Sequence, residues 1–166
     1  MRAGSLLAVG LPVTAAAIFV VTTSRSLPNV VASHFGPGGS ANGFMPHAFY
    51  VRFMLAFVVL LPLLLSLVAG AVARLPVKLV NIPNRQYWLA PGRRAQAVDM
   101  LRGRMQLFAA MLAAFLCYVH WLVVRANQSQ PPMLDNRRFV AGMAVFMFSL
   151  VIWIVALRRK FRPPEP

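Results

Sequence analysis

Residues 53–73 read FMLAFVVLLPLLLSLVAGAVA, and the run contains no Asp, Glu, Lys or Arg. A helix needs about 20 mostly apolar residues to cross the hydrocarbon core of a bilayer. The apolar positions are continuous instead of striped, so the segment has no face suited to water. In lipid it must satisfy its backbone hydrogen bonds internally, which a helix does and an open strand does not. Three further uncharged runs share this character: LLAVGLPVTAAAIFVV (6–21), LFAAMLAAFLCYVHWLVV (107–124) and FVAGMAVFMFSLVIWIVAL (139–157). The fold expected is therefore an all-α membrane protein. Its four-transmembrane-helix bundle forms a single domain over residues 1–166, with spans at about 4–23, 52–74, 106–125 and 139–157. Loops at 24–51 and 126–138 lie on one side, and a longer loop at 75–105 lies on the other.

Whole-chain composition agrees. Of the 166 residues 59% are hydrophobic and 12% charged, with a mean hydropathy of +0.67, too apolar for one small soluble core. The net charge of +14 would suggest nucleic acid in a soluble protein. Here the basic residues flank apolar runs, and no zinc-finger spacing or RRM-like signature occurs, so anionic lipid headgroups are the expected counter-charge and nucleic acid is not an expected partner. The single cysteine, Cys117, excludes an intramolecular disulfide framework.

The first run follows Met1-Arg2 and contains Ala15-Ala16-Ala17, features of a signal peptide. Its continuation through Ile18-Phe19-Val20-Val21 favours an uncleaved anchor. Lysine and arginine give the orientation. Arg2, Arg74, Lys78, Arg85, Arg93, Arg94, Arg102, Arg104, Arg158, Arg159, Lys160 and Arg162 fall on one side, and Arg25, Arg52, Arg125, Arg137 and Arg138 on the other. Twelve against five places both termini in the cytoplasm and makes 24–51 and 126–138 outer loops.

Within the spans, Pro12 and Pro62 are expected to kink their helices. Ser66-x-x-x-Gly70, Ala69-x-x-x-Ala73, Ala109-x-x-x-Ala113 and Ala110-x-x-x-Ala114 put small residues on one helix face, where helices approach closely. In PGRRAQAVDMLRGRM (91–105), Val98, Leu101 and Met105 form a short apolar stripe beside Arg94, Arg102 and Arg104, which reads as an interfacial helix feeding the third span.

All three histidines fall on the outer side. His34 and His47 lie in the first outer loop, and His120 lies in the third span about 7 Å of helix rise below Arg125. Cys117, three residues before His120, shares its helix face. Imidazole and thiolate suit zinc or copper, so one reading is a metal site assembled from His34, His47 and His120 with Cys117 or Asp135, although their spacing is no recognised ligand motif. The alternative assigns His34 to bracing the loop, His47 to the headgroup boundary beside Phe49 and Tyr50, and His120 to an interfacial belt with Tyr118 and Trp121. Between the first two histidines, GPGGSANG (36–43) favours tight turns over regular structure. Phe44 and Met45 follow at the interface.

Two motifs carry a resemblance. Leu27-Pro28-Asn29-Val30, His34-Phe35 and Gly39-x-Ala41-Asn42-Gly43-Phe44 form the first; Asn81-Ile82-Pro83-Asn84-Arg85-x-Tyr87-Trp88-Leu89-Ala90-Pro91 forms the second. Together they resemble the signatures of a bacterial membrane family of unknown function whose domain also forms the N-terminal part of SdpI-type immunity proteins. Asn29 and Asn42 stand where that family often has Asp, and the last two spans do not look like the longer C-terminal half of the immunity proteins.

The resemblance implies a multi-pass protein of the bacterial cytoplasmic (inner) membrane. It also implies an outer-loop ligand site at His34, Phe35, Gly39, Asn42, Gly43 and Phe44, with a toxic extracytoplasmic peptide as one ligand class. The cytoplasmic motif residues are Asn81, Pro83, Asn84, Arg85, Tyr87 and Trp88. Read physically, Tyr87 and Trp88 form an aromatic pair for the headgroup level, while Asn81, Asn84 and Arg85 offer donors to phosphate.

The only acidic residues are Asp99, Asp135 and Glu165, all outside the spans, which leaves no carboxylate pair for acid–base catalysis or ion coupling. The expected function is non-enzymatic and cofactor-free binding. The bilayer and its anionic lipids are expected partners, with an extracytoplasmic peptide or another membrane protein. An accessory subunit of a larger membrane complex is the alternative, ahead of a metal-binding or transport protein.

Overall fold

A computed structural model describes residues 3–72 and 74–163, with residues 3–8 and 77 described by backbone only. Arg2, Ala73 and Glu165 of the sequence reading lie outside the described residues. The chain runs α1 (Ala3–Ser24), β1 (Val30–Phe35), β2 (Ala41–Pro46), α2 (His47–Ala71), a 3-10 turn at Val77–Leu79, α3 (Arg85–Trp88), α4 (Arg94–Ala126) and α5 (Asn136–Lys160). It is mostly helical. Helices α2, α4 and α5 are long and apolar enough to cross a membrane; the apolar stretch described for α1, Val9–Ser24, is shorter. Helices α1 and α2 continue through Pro12 and Pro62.

The core lies among α1, α2, α4 and β1. Ala16 and Val20 meet Tyr50, Met54 and Val58 at i, i+4, i+8 spacing, with Ala113, Val123 and Val124 from α4 and Leu27 and Val31 from the hairpin side. Of the small residues expected at helix contacts, Ala69, Ala109 and Ala113 are buried. Helix α5 is different in kind: none of its residues is buried, and among the described residues α4 is the one other element that packs against it. That contact is nevertheless close. A side chain at Gly142 would overlap the Tyr118 ring, Phe115 stacks on Phe146 at 4.4 Å, and Trp153 donates its indole N–H to the Arg104 carbonyl at 2.8 Å.

Three sequence expectations are corrected. The loop 24–51 is not turns alone, and the fold is not purely helical: β1 and β2 form an antiparallel hairpin with Val31 opposite Met45, Ala32 opposite Phe44 and His34 opposite Gly43. Val31 and Ala32 are wholly buried, so their backbone groups need partners that water does not supply; strand pairing serves Val31, and the Asn127 side chain serves Ala32. The glycines serve the turn, where Gly39 has φ +85° and donates its N–H to the Gly36 carbonyl at 2.8 Å.

The interfacial helix expected at 91–105 to feed the third span begins at Arg94 and continues without a break as α4, 33 residues in all. Gly103 is the only helix-weakening residue in the joint, and a single interior glycine costs only about 1 kcal/mol. The helices that carry the last three apolar runs begin at His47, Arg94 and Asn136 and end at Ala71, Ala126 and Lys160.

The second motif is a clamp more than a headgroup anchor. Trp88 is buried and donates its indole N–H to the Phe161 carbonyl at 2.8 Å, and the Asn84 amide donates to the same oxygen at 2.8 Å. Phe161 is itself wholly buried and meets Trp88 edge to face. The last carbonyls of a helix have no intrahelical donor, and here the motif provides two to the residue that ends α5. Asn84 adopts φ +53° to do so, a conformation Asn tolerates better than most side chains. Tyr87 lies under the Arg93 guanidinium at 4.1 Å, while Asn81 and Arg85 remain exposed. Arg94 reaches back to the carbonyls of Val72 and Leu75, past the end of α2.

Candidate functional site

The hairpin and the segment 127–135 sit together at one end of the helices. Asn127, at the C-terminal end of α4, treats β1 as a neighbouring strand would. Its carbonyl accepts the Ala32 N–H at 2.8 Å, and its amide donates to the Ala32 carbonyl at 2.9 Å. A second fastening joins Leu134 N–H to the Gly39 carbonyl at 2.8 Å, beside a bridge between Ser40 and Met133. The Asn136 amide supplies a third, to the Pro37 carbonyl. Asn127→Ala is expected to leave both polar groups of Ala32 unpaired, at about 2 kcal/mol. Hydrogen exchange at the Ala32 amide should accelerate by more than tenfold, with Asn127→Asp intermediate because it keeps the acceptor.

Beneath this fastened hairpin is a cleft of about 570 Å3. Phe35, Leu122, Val123 and Phe139 give it apolar walls, with Ser33, His34 and Asn136 as polar lining. His34 is held by its strand register: Gly43 lies opposite, and a side chain there would come within 2.9 Å of the His34 Cβ. The Ser33 hydroxyl is 3.3 Å from His34 Nδ1. The cleft can thus take an apolar group while offering a hydroxyl and an imidazole to a polar one.

Of the six outer-loop residues singled out from the sequence, His34 and Phe35 line this cleft. Gly39 and Gly43 shape its hairpin, Asn42 is exposed near Gly36, and Phe44 is 58% exposed.

The histidines do not converge. His47 donates from Nε2 to the Ser24 carbonyl at 2.9 Å, fixing the start of α2 to the end of α1. His120 is wholly buried, which corrects its assignment to an interfacial belt. Its Nε2 lies 2.8 Å from the Thr23 hydroxyl and its Nδ1 lies 2.9 Å from the Tyr50 hydroxyl. The Thr23 hydroxyl is also 2.6 Å from the Phe19 carbonyl, which can only accept. Thr23 therefore donates to Phe19 and accepts from His120 Nε2–H, leaving Nδ1 to accept from Tyr50. One neutral imidazole ties α1, α2 and α4 together, with Phe19 and Tyr50 against its ring.

Cys117 faces α1 by itself, its sulfur 4.0 Å from the Ala16 carbonyl. Among the described residues no group of three His, Cys, Asp or Glu side chains is placed to hold a metal ion, so the set His34, His47, His120, Cys117 and Asp135 is not assembled.

Sequence reasoning missed Asn127 and the Thr23–His120–Tyr50 chain. A lone Asn after an apolar run looks like any loop residue, and Thr23 and Tyr50 have no local sign that they share a partner. Comparison with known protein families, curated proteins and solved structures gives no match to this chain.

Proposed function

We propose that this chain is a non-enzymatic, four-span protein of the bacterial inner membrane with both termini cytoplasmic. In this reading it is SdpI-like and binds an extracytoplasmic ligand, of which an amphipathic toxic peptide is the class that fits best, in the cleft under the hairpin. The observation that carries the reading is the cleft itself: an apolar cavity with His34 and Ser33 in its lining, roofed by a hairpin fastened through Asn127, Leu134 and Asn136. A preorganised site binds without first paying to order its walls. Asp99 and Asp135 lie against Arg102 and Arg138 at 3.4 and 3.1 Å, and this engagement supports the non-enzymatic reading. The exposed basic residues of the opposite end, Arg85 among them, suit anionic lipid or a cytoplasmic partner.

The test places the photo-crosslinker p-benzoylphenylalanine at Phe35 or at Phe44 in living cells. The expected result is an adduct with an extracytoplasmic peptide from Phe35, reduced several-fold by His34→Ala at unchanged protein level, and little from Phe44. Equal adducts from both positions, or none from Phe35, would remove the site. One observation favours a second reading, an accessory subunit of a membrane complex: α5 buries none of its residues within the chain. A membrane protein co-purifying in fixed stoichiometry, crosslinked through Phe148 or Ile152, would replace the first reading with this one.

A further inference from the structure

We infer that the α4–α5 crevice is a binding site for one phospholipid with an anionic headgroup, on the leaflet nearest the hairpin. The phosphate sits at Arg125 and Arg138, and an acyl chain runs down between the helices.

Two cavities lie end to end along this helix pair. The upper, of about 260 Å3, is lined by Arg125 and Arg138 with Ser129, Asp135 and Met133. The lower, of about 470 Å3, is walled by Met111, Phe115, Tyr118, Val145 and Phe146 and ends at Ser149. One turn of α4 joins them, from Leu122 to Tyr118, and one turn of α5, from Arg138 to Gly142. At the joint the Tyr118 hydroxyl donates to the Arg138 carbonyl at 2.7 Å.

Charge and length identify the occupant. Arg125 is exposed and makes no ion pair among the described residues, whereas Arg138 shares its charge with Asp135 at 3.1 Å, so the upper cavity keeps a net positive charge. A neutral sugar would leave that charge unmet; a phosphate meets it with charge-assisted hydrogen bonds. From Arg125 to Met111 is 14 residues of helix, about 21 Å at 1.5 Å per residue. One leaflet contributes about half of a 30 Å hydrocarbon core, so the crevice spans that depth with the remainder at headgroup level. A soluble anion would use only the upper cavity, and a neutral lipid only the lower.

This site shares only Leu122 with the cleft under the hairpin, and its test does not depend on the peptide reading. The full chain is placed in nanodiscs of phosphatidylcholine with increasing phosphatidylglycerol, and the lipids it retains are counted by native mass spectrometry. One phosphatidylglycerol should be retained in preference to phosphatidylcholine, with retention weakened about tenfold or more by Arg125→Gln with Arg138→Gln and by Ala114→Phe, which narrows the lower cavity. Arg158→Gln with Arg159→Gln, at the far end of α5, should leave it unchanged.

A second measurement uses the unaltered arginines. Trp121 lies 5.8 Å from the Arg138 guanidinium, so acyl-brominated phosphatidylglycerol should quench its fluorescence more than brominated phosphatidylcholine, with Trp121→Phe removing the difference. Equal retention and equal quenching by the two lipids would overturn the proposal. So would displacement of the lipid by millimolar inorganic phosphate with no effect of Ala114→Phe, which marks a simple anion site.

Discussion

Replacing His120 with Ala is expected to lower the unfolding free energy in detergent micelles by about 3–4 kcal/mol, the largest effect of any single side-chain truncation in the helix core. The ring is wholly buried and joins three helices that are far apart in the chain, through Thr23 at 2.8 Å and Tyr50 at 2.9 Å. Removing it leaves a cavity between Phe19 and Tyr50 and strips two hydroxyls of a partner. Interhelical hydrogen bonds in membrane proteins are worth about 0.6 kcal/mol on average when both partners can find substitutes, so most of the loss comes from the cavity and the orphaned Tyr50.

That division makes the expectation specific. Tyr50→Phe alone should cost about 1 kcal/mol. Leu at 120 combined with Tyr50→Phe and Thr23→Val should recover most of the stability, because no polar group is left unmet. Equilibrium unfolding by steric trapping or denaturing detergent checks both. If the triple variant is as unstable as His120→Ala, the chain of hydrogen bonds is not what makes the ring costly to lose.

Gly39→Ala is expected to be the most damaging change in the hairpin, by about 3 kcal/mol. Two effects add. Gly39 has φ +85°, and a side chain in the left-handed region costs about 1–2 kcal/mol. The added methyl would also overlap the Leu134 carbonyl, a backbone atom that cannot swing aside, and overpacking of this kind costs about 1–3 kcal/mol. Relief requires the segment 127–135 to separate from the turn, which breaks the hydrogen bond from Leu134 N–H to the Gly39 carbonyl. The amide of Leu134 should then exchange with solvent at least tenfold faster and proteases should cut near residues 37–40, while the helix core unfolds at an unchanged denaturant concentration. Gly38→Ala is the matched control, since a methyl there meets nothing within 4 Å.

These two residues show where local sequence information stops. Residues 53–71 and 139–157 lie within single helices because a long uncharged apolar run has one way to satisfy its backbone in lipid. That inference needs no knowledge of what lies beside it, and it holds for α2, α4 and α5. The glycines at 36–39 were equally readable as a turn, because positive φ is a property of one residue.

What the turn connects was not readable. Val30–Phe35 and Ala41–Pro46 pair as strands because Val31 and Ala32 are buried against other elements, and burial is decided by partners remote in sequence. The same holds for Asn127, which meets Ala32 across 95 residues, and for Trp88, which meets Phe161 across 73. In the sequence Trp88 is an aromatic near a membrane surface and His120 a polar residue near a helix end; each takes its role from a partner brought to it by folding.

The sequence alone therefore determined the helical, membrane-suited character of the chain and the position of its glycine turn, since hydropathy and backbone sterics act over one helix or one turn. Tertiary structure decided the hairpin, the cleft holding His34 and Phe35, the buried histidine and the clamp on Phe161. Each of these is a hydrogen bond or a packed surface whose two halves lie far apart in the chain, and neither half specifies the other.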